Sequence, residues 1–308
     1  MKQVKGVILA MISSSTFGLI PLFALPVIRD GVGLDSVLFY RFAISAFVIG
    51  SYLFFKRESF RVSGKELMTF FVLGALYAST ALFLTASYLY IPSGIATTIH
   101  FLYPVLVTGI MIVFFKDRAS LPVIMAACMA IVGVYLLSNG KEGGVISYKG
   151  LFMVLSTVLT YAVYIVGINK SCVRKMDGLK MTFFILFASA VVFLLNLLVK
   201  GEGLDRIPDY SAAIHLFLLA LIPTLISDLT LILAIQHIGS TTTAILGCME
   251  PLTAVSMGIL FLNERFGPGQ LLGVIVVLLA VFIVILATRP EGFSFKRMLP
   301  AFLLSRHK

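Results

Sequence analysis

Charged residues are scarce in this sequence. They make up 12% of its 308 residues, whereas hydrophobic residues make up 59%. A soluble domain usually carries about 25% charged residues, and this chain has too little polar surface to cover a water-soluble globule of its size. The low charge therefore predicts an integral membrane protein. It argues against a soluble enzyme, a nucleic-acid-binding protein or a secreted disulfide-rich domain.

Cysteine and histidine are also few. The three cysteines, Cys128, Cys172 and Cys248, lie in or next to apolar stretches without the short spacing of metal ligands. The chain has no HExxH, G-x-S-x-G, P-loop or GxGxxG motif, and no long extramembrane segment that could hold a nucleotide. We therefore predict no metal, no cofactor and no enzymatic activity, with an intramembrane enzyme as the alternative from another class.

Long apolar runs fill most of the chain. A helix needs about 20 apolar residues to cross a bilayer, and uniformly apolar runs are typical of helices rather than of β-barrel strands. We predict an all-α integral membrane fold with ten transmembrane helices. These ten spans, numbered in chain order throughout, cover residues 5–27, 35–55, 67–90, 93–115, 120–138, 147–168, 178–199, 211–235, 240–262 and 268–288.

Lysine and arginine are unevenly divided between the loops. With the N-terminus inside, 17 of them fall on the cytoplasmic side and 6 on the outer side, and Arg41 lies within a span. Cytoplasmic loops of membrane proteins carry an excess of basic residues. This bias predicts a multi-pass protein of the inner or plasma membrane with both termini in the cytoplasm. The basic tail, 291–308, is expected to rest on the inner membrane surface.

A repeat relates the two halves of the chain. Shifting residues 91–137 by 147 positions places them on 238–284 without a gap. The shift aligns Ser93 with Ser240, Pro104 with Pro251, and Asp117-Arg118 with Glu264-Arg265. We predict two repeats of five spans each, 1–140 and 145–290. Because five is odd, the second repeat is inverted in the membrane, an arrangement typical of secondary transporters.

The segment 249–280 resembles the second signature of the EamA-type drug/metabolite transporters. That signature has a Glu-Pro in the ninth span, here Glu250-Pro251, and a Glu-Arg at its end, here Glu264-Arg265. The first half matches less well, with Tyr103-Pro104 in place of Glu-Pro. Its Thr16-Phe17-Gly18 stands where the family often has Trp-Gly. The resemblance implies an inverted-repeat transporter, commonly an exporter of amino acids, other metabolites or toxic compounds.

Four ionisable residues lie deep inside spans, namely Arg41, His100, Asp228 and Glu250. Such residues are costly in hydrocarbon and are functional candidates. Counted at ~1.5 Å per residue, Arg41 and His100 lie about 10 Å below the outer boundary. Glu250 lies about 15 Å and Asp228 about 10 Å from the inner boundary.

Glu250 is the strongest candidate, because desolvation favours the neutral form of a buried carboxyl group. It could therefore bind a proton or a cation. A zwitterion could place its amine near Glu250 and its carboxylate near Arg41 or His100. The alternative for each residue is structural: an ion pair or snorkelling for Arg41, and hydrogen bonds for His100 and Asp228.

Prolines inside spans indicate where helices break. A proline removes one backbone hydrogen bond and frees the carbonyl four residues earlier, so Pro104 frees His100 and Pro251 frees Gly247. Freed carbonyls are tolerated where helices or water satisfy them. Pro21 and Pro223 are expected to act similarly. Candidate cavity walls are Tyr103, Tyr161, Tyr164, Asn169 and Thr243.

These features together predict a secondary transporter that exports amino acids or related polar compounds. Its expected partners are a small-molecule substrate, the lipid bilayer and, for coupling, the proton, with no nucleic acid. Gly269 and Gly273 in the tenth span allow close helix approach, which suggests a homodimer as an alternative to packing within the bundle. A channel or facilitator without active coupling is the other alternative.

Overall fold

The structure is a computed structural model that describes residues 2–116 and 147–287, with scattered helical positions between 125 and 136. Its regular elements in these ranges are all helices. Eight of the predicted spans are helices long and apolar enough to cross a membrane. Their bounds are Gln3–Arg29, Leu34–Phe55, Gly64–Ser87, Ser93–Phe115, Tyr148–Lys170, Gly178–Lys200, Tyr210–Ile238 and Ser240–Phe261.

The tenth span is a helix over Pro268–Ala287, of which the apolar stretch Pro268–Ala280 is shorter than the others. Most of the fifth span, the Asp117-Arg118 pair and the tail 291–308 lie outside the described residues. The count of ten spans therefore stays a prediction.

Polar caps decide where several spans begin. The third span starts at Gly64, three residues before its predicted start, because Ser63 and Glu66 form a capping box. The seventh span follows Asp177, whose carboxylate accepts from the backbone N–H groups of Leu179 and Lys180. The eighth span follows Asp209, which caps Ala212 at 2.7 Å. The predicted starts of the seventh and eighth spans lie within one residue of these helix starts, whereas the third span starts three residues earlier than hydropathy indicates.

Four spans are interrupted, each next to a proline. The first span divides into Lys2–Phe17 and Ile20–Arg29, and the fourth into Ser93–His100 and Tyr103–Phe115. The ninth divides into Ser240–Ile245 and Met249–Phe261, joined by a 3₁₀ turn. The eighth passes through a π-helical segment, Leu221–Ile226. The proline at each break lacks the N–H group that would continue the helical hydrogen-bond pattern.

The helices pack in pairs across the two halves. The first span packs along the eighth, the third along the sixth, and the second along the seventh. The fourth and ninth spans cross with the first segment of each against the second segment of the other. These two spans therefore run antiparallel, and both breaks lie where they cross.

Two hydroxyl pairs join the spans at corresponding places. Ser13 and Ser227 each donate to the other's carbonyl, at 2.8 and 2.9 Å, and join the first and eighth spans. The hydroxyl oxygens of Thr80 and Thr160 lie 2.7 Å apart, and this hydrogen bond joins the third and sixth spans. Adding 147 to Ser13 gives Thr160, and adding 147 to Thr80 gives Ser227. The same offset that aligns the two prolines thus also relates these contacts.

Candidate functional site

The deep ionisable residues are all buried, and they come together from both halves of the chain. Arg41, His100, Asp228 and Glu250 are each at most 1% exposed. They form two groups. In one, Glu250 of the ninth span faces His100 of the fourth. In the other, Arg41 of the second span lies near Asp228 of the eighth.

The Glu250 group occupies the crossing of the two broken spans. The His100 Nε2 atom lies 3.7 Å from Glu250 Oε1, which is longer than a hydrogen bond. Both atoms are buried, and neither finds a hydrogen-bond partner among the described residues. Tyr103 also interacts with the Glu250 carboxyl group through its hydroxyl.

The two proline breaks place these side chains. Tyr103-Pro104 and Glu250-Pro251 each lie in the first turn of the second segment of a broken span. In a first turn, the missing N–H of a proline costs no hydrogen bond within that segment. Residues at corresponding positions in the two halves, Tyr103 and Glu250, thus meet at the crossing. Gly247 lies against the Tyr103 hydroxyl, and a side chain at this position would collide with it.

The first span closes one side of the Glu250 group. A Cβ atom on Gly18 would lie 2.5 Å from the Glu250 carbonyl oxygen and 2.8 Å from Thr253 Cβ. Only a glycine therefore allows the first span to approach the ninth so closely. The neighbouring Phe17 ring stacks on His100 with centroids 6.0 Å apart. Phe17 was not predicted as a site residue.

The Arg41 group is built on the break in the eighth span. Arg41 Nε donates to Thr224 Oγ1 at 2.6 Å, and the Thr224 hydroxyl donates to the Leu219 carbonyl at 2.7 Å. That carbonyl lies four residues before Pro223, so the proline leaves it without its helical donor. The carbonyl that the proline frees therefore orients the Thr224 hydroxyl, and this hydroxyl accepts from Arg41.

Asp228 completes this group. Its Oδ1 atom accepts from the Tyr164 hydroxyl at 2.6 Å, and its carboxylate interacts with the charge of Arg41. Tyr164 stacks on Tyr77 at 4.9 Å with the rings nearly parallel, and Tyr77 interacts with the Arg41 guanidinium. Asp228 Oδ2 and one Arg41 NH₂ group are buried without a hydrogen-bond partner in the part of the chain described.

Arg41 and Asp228 interact electrostatically, without a direct ion pair between them in the part of the chain described. The direct contact of Arg41 on the eighth span is with Thr224, one turn before Asp228.

Aromatic rings of the sixth span connect the two groups. The Tyr161 ring lies 4.7 Å from Tyr103 and 5.0 Å from His100. It also stacks 5.8 Å from Tyr164, which binds Asp228. Tyr161 and Tyr164, predicted as cavity walls, therefore lie between the Glu250 group and Asp228. The other two predicted wall residues contact different partners. The Asn169 amide donates to Ser240 Oγ at 2.9 Å, and the Thr243 hydroxyl donates to the Gly239 carbonyl at 2.7 Å.

The charges of this cluster are incompletely compensated. Arg41 supplies one positive charge, and Asp228 and Glu250 supply two carboxyl groups. Buried polar atoms without partners cost free energy unless a proton, water or ligand satisfies them. Of the nine such atoms among the described residues, four lie in this cluster, one each on Arg41, His100, Asp228 and Glu250. The arrangement can therefore bind a proton or a small charged molecule at the centre of the helix bundle.

A groove of about 670 Å³ lies away from this cluster, on the periphery of the helix bundle between the second and seventh spans. Its walls are apolar, and they include Phe47, Phe54, Phe60, Phe183 and Phe187. It contains none of the four buried ionisable residues, and its side chains are those expected to face lipid.

Comparison with known proteins agrees with a membrane transporter. The chain matches the EamA-like transporter family over residues 4–139 and 148–286, and it belongs to this family. It is 25% identical over 235 residues to the "uncharacterized inner membrane transporter YicL" of Salmonella typhimurium, covering 74% of this chain and 75% of that protein. It is 22% identical over 177 residues to the "uncharacterized transporter YcbK" of Bacillus subtilis, covering 56% of each.

A solved crystal structure has the same fold. It superposes with a TM-score of 0.71 over 92% of this chain and 99% of its own length, at 13% sequence identity. Similarity at this identity concerns the fold alone. Together with the eight apolar helices, the family identifies a multi-pass membrane transporter that has the lipid bilayer and a small-molecule substrate as partners.

Proposed function

We propose that this transporter is a proton-coupled secondary exporter of amino acids or related zwitterionic metabolites. The observation that supports it best is the buried cluster in which Arg41 and His100 from one half meet Asp228 and Glu250 from the other. Ionisable residues inside a membrane bundle mark substrate or ion pathways. Substrate sites between the halves of a transporter are exposed alternately to each side.

The pairing of the spans supports two inverted repeats, 1–140 and 145–290. In two such repeats the first span corresponds to the sixth and the third span to the eighth. A contact between the first and eighth spans should therefore have a counterpart between the sixth and third spans, and both contacts are present. The Ser13–Ser227 and Thr80–Thr160 contacts obey the same exchange. The family also matches the chain twice, once in each half. An even number of spans puts both termini on the same side of the membrane, and the positive-inside bias favours the cytoplasmic side.

A zwitterion fits the charges of the cluster. An ammonium group can donate to the free Glu250 Oε1 and His100 Nε2 atoms, and a carboxylate can accept from the free Arg41 NH₂ group. The tyrosine rings between the two groups offer faces to the rest of the molecule. In this arrangement Glu250 binds either a proton or the substrate ammonium, and this competition couples their movements.

The decisive experiment is transport by the purified protein in liposomes, with a panel of amino acids and related amines. We expect uptake or release of at least one zwitterion to accelerate when a pH gradient is imposed. Transport with no response to the gradient would instead indicate a facilitator. Conversion of substrate to product would indicate an intramembrane enzyme.

Direction and assembly are separate parts of the proposal. Export is expected from the family, and efflux from inside-loaded vesicles measures it. A homodimer through Gly269 and Gly273 is a further prediction. In the structure, Gly273 also receives a contact within the bundle, because Gly133 of the fifth span packs against its carbonyl. The mass of the protein in a lipid nanodisc distinguishes a monomer from a dimer.

A further inference from the structure

The hydrogen bonds of His100 determine which of its ring nitrogens carries hydrogen. His100 Nδ1 lies 2.7 Å from Thr157 Oγ1, and Thr157 Oγ1 lies 2.6 Å from the Val154 carbonyl oxygen. A carbonyl oxygen only accepts, so the single hydrogen of the Thr157 hydroxyl is directed to Val154. The Thr157 oxygen is then the acceptor in its contact with His100. Nδ1 must therefore carry a hydrogen.

The opposite nitrogen is consequently an acceptor. A neutral imidazole has one N–H group, so with Nδ1 protonated the Nε2 atom presents a lone pair. This atom faces Glu250 Oε1 at 3.7 Å, and both are buried. If Glu250 were ionised, its Oε1 atom and the His100 Nε2 atom would both be acceptors and would face each other with no hydrogen between them. In a buried site such a contact is unfavourable, because water does not screen it. One proton on either atom supplies the missing donor.

We infer that Thr157 is a positioning residue that sets the His100 tautomer, and that His100 Nε2 and Glu250 Oε1 together bind one proton. Thr157 lies on the sixth span one turn before Tyr161, so both face the crossing of the fourth and ninth spans. This inference rests on the proposed function only where it concerns transport. The assignment of the hydrogen stands on the hydrogen bonds alone.

The other titratable groups near this pair are mainly phenols. Tyr103 and Tyr161 lie against the His100 ring, and the first span contributes the uncharged Phe17. Tyrosines ionise near pH 10 in water, so they do not titrate where His100 and Glu250 exchange a proton. Groups that interact with Glu250 or Tyr161 from farther away are Tyr77, Tyr88 and Asp228, and Arg41 is the cation near Asp228.

Nitrogen-15 NMR of the full chain in nanodiscs, with labelled histidine, tests the tautomer. The His100 signals are assigned by comparison with a His100→Gln variant, and the remaining histidines serve as internal references. We expect neutral His100 to carry its hydrogen on Nδ1. A wild-type His100 with hydrogen on Nε2 would overturn the inference.

Substitution of Thr157 tests its role. Thr157→Val keeps the shape but removes the acceptor for Nδ1, so the Nε2–H tautomer gains population and donates to the Glu250 carboxylate. A carboxylate stabilised in this way binds a proton less tightly. We expect the pH midpoint of transport to fall by about one unit, a tenfold change in proton affinity. Thr157→Ser keeps the hydroxyl and should therefore show the wild-type tautomer and the wild-type pH midpoint.

Ser156→Ala is the matched control, because its hydroxyl bonds only the Phe152 carbonyl of its own helix. It should leave the tautomer and the pH profile unchanged. A Thr157→Val protein with the wild-type tautomer and midpoint would refute the positioning role. Transport that ignores the pH gradient, with Nδ1–H still observed in the wild type, would refute the proposed coupling but support the tautomer assignment.

Discussion

The carboxylate of Glu264, just past the ninth span, caps the start of the fourth span at Ser93. Its Oε1 atom accepts from the Ser93 backbone N–H at 2.6 Å and from the Ser93 hydroxyl at 2.5 Å, and Oε2 accepts from the Gly94 N–H at 3.1 Å. Gly258 leaves the space that the Glu264 side chain occupies. A single side chain therefore joins the ends of the two spans whose breaks form the Glu250 group.

Loss of this cap should destabilise the protein. Glu264→Ala leaves two backbone N–H groups at the helix start without their acceptor and removes a negative charge from the positive end of the helix dipole. We expect the free energy of unfolding to fall by about 1–2 kcal/mol, measured by thermal unfolding in detergent. Glu58→Ala, at an exposed loop position, is the control. Equal unfolding temperatures for both variants would contradict the role of the cap.

Glu250→Gln tests the titratable charge at the crossing. Glutamine keeps the size and the hydrogen-bonding capacity of glutamate but cannot be ionised. Transport should fall about tenfold or more, equivalent to about 1.4 kcal/mol, and its pH dependence should flatten. A structural Glu250 predicts that Gln supports transport and that Ala lowers the folded yield. Wild-type rates and an unaltered pH profile at matched protein level would remove Glu250 from the site and leave Asp228 as the next candidate.

Pro251→Ala tests the break in the ninth span. Alanine supplies the missing N–H group, so the freed Gly247 carbonyl can accept it and the span can straighten. We expect folding to survive and the transport rate to fall, because Glu250 and Tyr103 would no longer meet in the same geometry. Pro208→Ala, in the exposed loop before the eighth span, is the control. Unchanged turnover at unchanged expression would show that the bend has no role in transport.

Thr224→Val tests the anchor of Arg41. It leaves both Arg41 Nε and the Leu219 carbonyl without a partner inside the bundle. An unsatisfied buried group costs about 1–3 kcal/mol, so the thermal stability should fall measurably. Thr230→Val is the matched control on the same span, since the Thr230 hydroxyl bonds only carbonyls of its own helix, at Ile226 and Ser227. Similar stability of the two variants would show that Thr224 does not hold Arg41.

Reporter fusions test the inverted repeats. A reporter fused after Lys116 should be cytoplasmic, and one in the loop 264–267 should be on the outer side. These positions correspond in the two repeats but lie on opposite faces if the second repeat is inverted. The same face for both would disprove the inverted arrangement.

Much of the site could be predicted from residue type and depth. Arg41, His100, Asp228 and Glu250 stand out because ionisable residues are rare inside apolar helices, and the structure buries all four. Thr157, Thr224 and Tyr77 were not predicted. Threonine and tyrosine are common in membrane helices, and nothing in the sequence marks the ones that contact an ionisable residue.

The sequence by itself determined the class of fold and the places where helices break. Apolar length sets the spans because the bilayer excludes unsatisfied backbone, and proline sets the breaks because it lacks an N–H group. Both effects are local. Only the tertiary structure decided that His100 faces Glu250 while Arg41 lies near Asp228. These partners are more than 140 residues apart in the chain, and the packing of spans from the two halves brings them together.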